Sequence, residues 1–238
     1  MKAFAYGVWL QWKIDFRKKD VLMMYYIMPL AFFLSMGGIF SSIDPGMKQT
    51  LAYAMTVFAV CAGAFVGVPT SIVGFFGTDM RKAYRIGGVP PWTAAANGFV
   101  SACAHLLVVS CVIAALSPII FGAEPVAEAL PFLGVALCFM AAAVSIGVFL
   151  GLLFKSQAKL SVVAMMLFLV SIMLSGIMLP DQFLPEAMRT IGGFLPSRWA
   201  FNAFSGENVV QNVLLMVGLF GVFALASALR IKAIGRTE

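Results

Sequence analysis

The sequence predicts an all-α integral membrane protein with six transmembrane helices, and three observations lead there. Of its 238 residues 62% are hydrophobic and only 11% charged, where a soluble domain carries about 25% charged and 45–50% apolar residues. The apolar residues fall in long uninterrupted blocks, and the charges lie between the blocks. A monomer this short must clothe most of its surface in polar groups to dissolve. A soluble globular domain is therefore excluded, and so is a disordered chain.

A bilayer core of about 30 Å needs roughly 20 apolar residues in helical form. Six stretches meet this, at 21–40, 51–77, 93–121, 130–154, 160–179 and 209–229, and none contains Asp, Glu, Lys or Arg. Each such residue at a helix centre costs roughly 2.5–3.5 kcal/mol on insertion scales. Strands are excluded by periodicity, because barrel strands alternate apolar and polar residues while Val162 to Leu174 is apolar on all sides. The first apolar run starts late and is long enough to remain as a span, so no cleaved leader is expected.

Basic residues orient the chain. Thirteen of the 16 lie in the N-terminal segment, the connections between spans two and three and between spans four and five, and the C-terminal tail. Lys48, Arg189 and Arg198 lie on the other side with Glu124, Glu128, Asp181, Glu186 and Glu207. Both termini are expected in the cytoplasm. The net charge of +6 reads as this orienting excess and not as a nucleic-acid surface.

The chain divides into a cytoplasmic segment, 1–20, and a six-span domain, 21–238. In the first, Phe4, Val8, Trp9, Trp12 and Phe16 share one helical arc opposite Lys13 and Arg17, the pattern of a helix lying in the membrane interface. Between spans two and three, Thr78 is a candidate N-cap and Asp79 suits the first turn. Gly87 and Gly88 can end the helix, and Pro90 and Pro91 stop its continuation. A short, charged cytoplasmic helix of about two turns is predicted here. Residues 180–199 are too polar to span and too apolar for a free loop. Two short helices broken at Gly192-Gly193 would let Phe183, Leu184, Ile191, Phe194 and Leu195 enter the outer leaflet, with Arg189 and Arg198 reaching the headgroups.

Within the spans, Gly63-x-x-x-Gly67 and Gly147-x-x-x-Gly151 allow close helix approach, and Pro29 and Pro69 are expected kinks. Cys61, Cys103, Cys111 and Cys138 show no CxxC spacing and suggest neither a disulfide framework nor a zinc site. His105 is the sole histidine, which removes HExxH chemistry, and no carboxylate pair lies at membrane depth. The nearest approach to a phosphate-binding loop is Lys155-Ser156, but Phe154 and Phe149 stand where glycines are needed. This chain is expected to be no enzyme and to bind no cofactor. A secondary carrier or channel would use ionisable or polar groups near the midplane, and only Asn97 and His105 are candidates.

The amphipathic first segment, the six spans with both ends inside, and the charged helix with Asp79, Arg81, Lys82, Arg85 and Pro90-Pro91 together resemble the permease subunit of a type-2 ATP-binding-cassette (ABC) transporter, of the exporter kind. The outer segment with Leu184-Pro185 and Leu195-Pro196 is similar to that family's re-entrant hairpin before the last span. The resemblance implies that Asp79, Met80, Arg81, Lys82, Tyr84 and Arg85 form a coupling helix seated on a separate cytosolic ATPase, which carries ATP and Mg. It implies a second permease, identical or different, and a place in the bacterial plasma (inner) membrane. Spans one and five then flank the path, which puts Met28, Phe32, Met165, Leu169, Ile172 and Met173 along it, with Asn97 and His105 as its polar groups. The uncharged spans favour an apolar, amphipathic or lipid-like cargo moved outward. A carrier or channel working without an ATPase is the alternative.

Overall fold

The computed structural model describes residues 2–43, 46–76, 84, 86–178 and 184–236. All regular structure among them is helical. Helix α1 is Lys2–Asp15. Helix α2 runs through Lys19–Leu22, Met23–Ile27 and Met28–Ile43, and α3 through Met47–Cys61, Ala62–Gly67 and Val68–Phe76. There follow α4 (Trp92–Phe121), α5 (Ala129–Leu153), α6 (Gln157–Met173), α7 (Glu186–Gly192), α8 (Pro196–Phe204) and α9 (Val209–Arg236). Five stretches are long and apolar enough to cross a membrane: Lys19–Phe40, Met47–Phe76, Trp92–Phe121, Ala129–Leu153 and Val209–Gly235. Each coincides with an uncharged block of the sequence.

The block at 160–179 behaves differently. Its helix starts earlier, at Gln157, and stops at Met173. Gly176 adopts φ +85°, open to glycine for want of a Cβ. Ser175 Oγ bonds Ile172 O at 2.9 Å and accepts from the Ile177 N–H. A turn therefore replaces the expected last helical residues.

Helix α3 is the axis of the fold and is almost wholly enclosed. Helices α2, α4, α5, α6 and α8 all pack on it. Phe58 carries the stack: the Phe32 ring lies flat on it at 3.7 Å between centroids, and Phe168 meets it edge-on at 5.4 Å. At Gly147 on α5 an added Cβ would collide with the Ala64 carbonyl, and at Gly151 it would lie 2.9 Å from the Pro69 carbonyl. This glycine pair is therefore spent on packing inside the chain, where small residues let helix backbones touch.

At both expected kinks the helix widens just before the proline. Met23–Ile27 and Ala62–Gly67 are wound as π-helix, and each widened segment ends two residues before a proline, Pro29 or Pro69. Proline supplies no N–H and its ring crowds the carbonyl four residues back, and a π turn absorbs that mismatch without stopping the helix. The two π segments pack together. The Tyr25 ring of one fits against Gly63 and Gly67 of the other, where a Cβ would lie 2.7 and 3.1 Å from it.

Helices α7 and α8 form the expected pair of short pieces, with the break at residues 193–195. The Trp199 indole N–H closes the turn on Gly193 O at 2.7 Å, and Ser197 Oγ ties α8 to Ser171 O of α6 at 2.9 Å. Leu184 is buried, while Ile191 and Phe194 are exposed; Phe183 lies outside the described residues. Arg189 and Arg198 turn to backbone carbonyls, Leu184 O and Arg189 O, each at 3.3 Å.

Candidate functional site

Of the six residues assigned to coupling, Asp79, Met80, Arg81, Lys82 and Arg85 lie outside the described residues, as does Thr78. Tyr84 is described, and it fixes the end of the segment. It is helical, its carbonyl accepts the Val89 N–H at 2.9 Å, and Gly88 has φ +68°. This six-to-one closure around a left-handed glycine is a Schellman stop. The Tyr84 ring meets Phe75, at the end of α3, edge-on at 4.7 Å. Pro90 O then accepts Thr93 Oγ1 at 2.6 Å as α4 begins. Tyr84 is thus tied to the end of α3, shortly before α4 begins.

The residues assigned to the path fall in three settings. Met165, Leu169 and Met173 lie exposed along one face of α6, whose opposite face buries Leu160, Ala164, Phe168 and Ile172 against the bundle. Met28 and Phe32 are half-buried on α2. Ile172 is part of the core, and Asn97 and His105 are buried, facing α1.

That last contact adds a second face to α1, beside its aromatic arc. Its aromatic arc does point outward: Phe4, Trp9, Trp12 and Phe16 are exposed together with Tyr6, Leu10 and Ile14. The side turned to α4 is the polar stripe Gly7, Gln11 and Asp15, spaced four apart. It meets a stripe of the same spacing on α4: Asn97, Ser101 and His105. Gly7 permits the approach, since a Cβ there would lie 2.6 Å from Asn97 Nδ2. Ser101 Oγ donates to Asp15 Oδ2 at 2.7 Å, and Gln11 Nε2 to Asp15 Oδ1 at 2.8 Å. Burial pushes the Asp15 carboxyl above its ordinary value, against the pull of these two bonds and of Lys18.

His105 closes the seam. Trp12 Nε1 donates to its Nδ1 at 3.0 Å, and the Tyr26 hydroxyl lies 2.7 Å from the same atom. An indole N–H can only donate, so Nδ1 is the acceptor and the neutral ring carries its proton on Nε2. Tyr25 stacks on the ring at 5.4 Å, and Phe16 meets it edge-on at 4.9 Å. The matching i, i+4, i+8 polar spacing of residues 7–15 and 97–105 was the signal available in the sequence.

At the opposite end of α2, a cavity of about 280 Å³ opens between α2, α3, the turn after α6, and α8. Phe40, Ala54 and Ile177 give it apolar walls, and Thr50, Asn202 and Glu207 give it polar ones.

The family model of the ABC-2 type transporter matches residues 2–207, from α1 to the end of the α7–α8 hairpin. The chain belongs to the ABC-2 type transporter family. As an ABC-2 permease it is a multi-pass membrane component of an ABC transporter and not itself the ATPase. Permease domains of this family generally partner with ATPase subunits. No curated protein matches this permease.

Proposed function

We propose that this permease is the translocation subunit of an ATP-driven exporter, working with a second permease and two cytosolic ATPase subunits that bind ATP and Mg. The carrying observation is mechanical. Helix α3, on which five other helices pack, leads directly into residues 77–86, and Tyr84 ties that segment back to Phe75 at 4.7 Å. A push on Asp79, Met80, Arg81, Lys82, Tyr84 and Arg85 would reach the axis of the bundle through the contact of Tyr84 with Phe75.

In this reading Gln157–Met173, about 25 Å long at 1.5 Å per residue, is the fifth of six spans. Both termini and the coupling segment face the cytoplasm of a bacterial cell. Helices α2 and α6 flank the path, with Met28, Phe32, Met165, Leu169, Ile172 and Met173 along it. Asn97 and His105, engaged with α1, steer that helix instead of touching cargo. The uncharged spans suit an apolar or amphipathic substrate, and the cavity beside Thr50, Asn202 and Glu207 suits its polar end as it leaves.

Copurification of a cognate ATPase tests the reading. Arg81→Glu, Lys82→Glu and Arg85→Glu together are expected to abolish the association while leaving the permease folded. Gradient-driven uptake into liposomes by the purified chain alone would overturn it in favour of a carrier or channel.

A further inference from the structure

Helices α4, α5 and α9 do not close on one another at the end of the bundle where α4 begins and α9 ends. They leave a cleft of about 270 Å³ that is almost entirely apolar. Its residues are ordered by depth. Trp92 and Ile231 stand at the mouth, Ala96 and Ser227 below them, and Phe99, Ser145 and Phe220 at the bottom.

Among the described residues the hydroxyls of Thr56, Ser171 and Ser227 are buried without a partner, and of these Ser227 lines the cleft. Hydroxyls in apolar helices ordinarily turn back on a carbonyl three or four residues earlier. Ser110, Ser117 and Ser145 do so here, Ser145 within the same cleft, at 2.7 Å each. The Ser227 hydroxyl is buried, yet it has no partner among the described residues. Arg230, one turn further along α9, holds Leu152 O at 3.3 Å through Nε, which uses one of the five guanidinium donors. The exposed Trp92 indole stands at the same end of the cleft, the position aromatic residues take at headgroup level.

We infer that this cleft is a binding site for one anionic phospholipid of the adjoining leaflet, with an acyl chain between Phe99, Val148 and Phe220. Three residues of helix separate Ser227 from Arg230, about 4.5 Å along the axis, which matches the step from a glycerol ester to its phosphate. Rotated about χ1 into the cleft, the Ser227 hydroxyl then donates to the ester carbonyl, and Arg230 takes the phosphate as a charge-assisted partner. A neutral detergent offers the chain without the charge, and a free phosphate the charge without the chain. Neither satisfies both features. No residue of α2 or α6 lines the cleft, so the site does not depend on the proposed path or on export.

Native mass spectrometry of the full chain in detergent, titrated with phosphatidylglycerol or phosphatidylcholine of identical chains, tests this. One phosphatidylglycerol per chain is expected to bind in preference to phosphatidylcholine. Arg230→Gln should weaken it about fivefold and Ser227→Ala roughly threefold; both leave the cleft's shape intact. Ala228→Trp, which fills the cleft, should cost more than about tenfold. Leu225→Trp, on the exposed side of the same helix, should cost nothing. Equal binding of the two lipids, unchanged binding in both Arg230→Gln and Ser227→Ala, or equal loss in Ala228→Trp and Leu225→Trp would each overturn the site. Displacement of the lipid by glycerol phosphate alone would overturn the chain's role in it.

Discussion

Ser101 of α4 donates a 2.7 Å hydrogen bond to a carboxylate oxygen of Asp15, 86 residues earlier in the chain, and both side chains are buried. A polar seam, closed at one end by Trp12 and Phe16 on His105, therefore holds the first helix to the bundle. Removing one partner strands the other, which costs roughly 1–3 kcal/mol for a buried group. Asp15→Leu should accordingly release α1, read as faster proteolysis between α1 and α2. Asp15→Asn, which keeps an acceptor for Ser101, should release it less.

Docking of α1 should also strengthen in acid. The carboxyl of Asp15 is raised from 3.8 because burial disfavours its charged form, so the docked state binds the proton more tightly than the undocked state. The resulting stabilisation is complete below 3.8 and is lost as pH rises through the raised value. A pH titration of α1 protection from protease should show this slope, and Asp15→Asn should flatten it. A slope of opposite sign would falsify the assignment.

Trp12 and Tyr26 converge on His105 Nδ1 at 3.0 and 2.7 Å. Trp12→Phe or Tyr26→Phe alone leaves the other donor in place and should cost about 0.5–1.5 kcal/mol. The double variant strands a buried ring nitrogen and should cost more than the sum. A double-mutant cycle on thermal stability in detergent measures that excess.

Gly147→Ala should be among the most damaging single-methyl changes in the permease, because its Cβ would strike the Ala64 carbonyl and backbone cannot swing aside. Overpacking of this kind costs typically 1–3 kcal/mol. Gly134→Ala, in the same helix with nothing within 4 Å, should be neutral or stabilising by up to about 1 kcal/mol. Comparing the melting temperatures of the two variants separates packing from helix propensity.

If α6 faces a second permease, cysteines placed at Met165 or Leu169 should form disulfide-linked dimers under mild oxidation. Val217, exposed on α9, should not. Crosslinking through Val217 alone would move the seam to the other side of the molecule.

Five of the six expected spans were legible because lipid leaves so little choice: a run such as 93–121 without a charge can only be a helix, and α4 occupies Trp92–Phe121. Gly87-Gly88 was legible as a stop because only a left-handed glycine closes a helix so tightly, and Gly88 has φ +68°. The pairing of α1 with α4 was not. Its aromatic arc and its Gly7-Gln11-Asp15 stripe are equally regular, and the choice between them rests on Asn97, Ser101 and His105 in a helix far along the chain. The π turns were hidden for a related reason. A proline announces a disturbed turn, but whether the helix bends or widens depends on the packing across it, here Tyr25 against Gly63. The lone hydroxyl of Ser227 also gives no sign in the sequence, where it looks like any serine of an apolar helix.

The seam between α1 and α4 sets a timetable for making this molecule. Trp12 and His105 are separated by 93 residues, so at 5–20 residues per second the ribosome needs roughly 5–20 s to deliver the partner of the first helix. During that interval Asp15 and Gln11 have no seam to enter. The nascent helix can turn its polar edge inward only when α4 arrives.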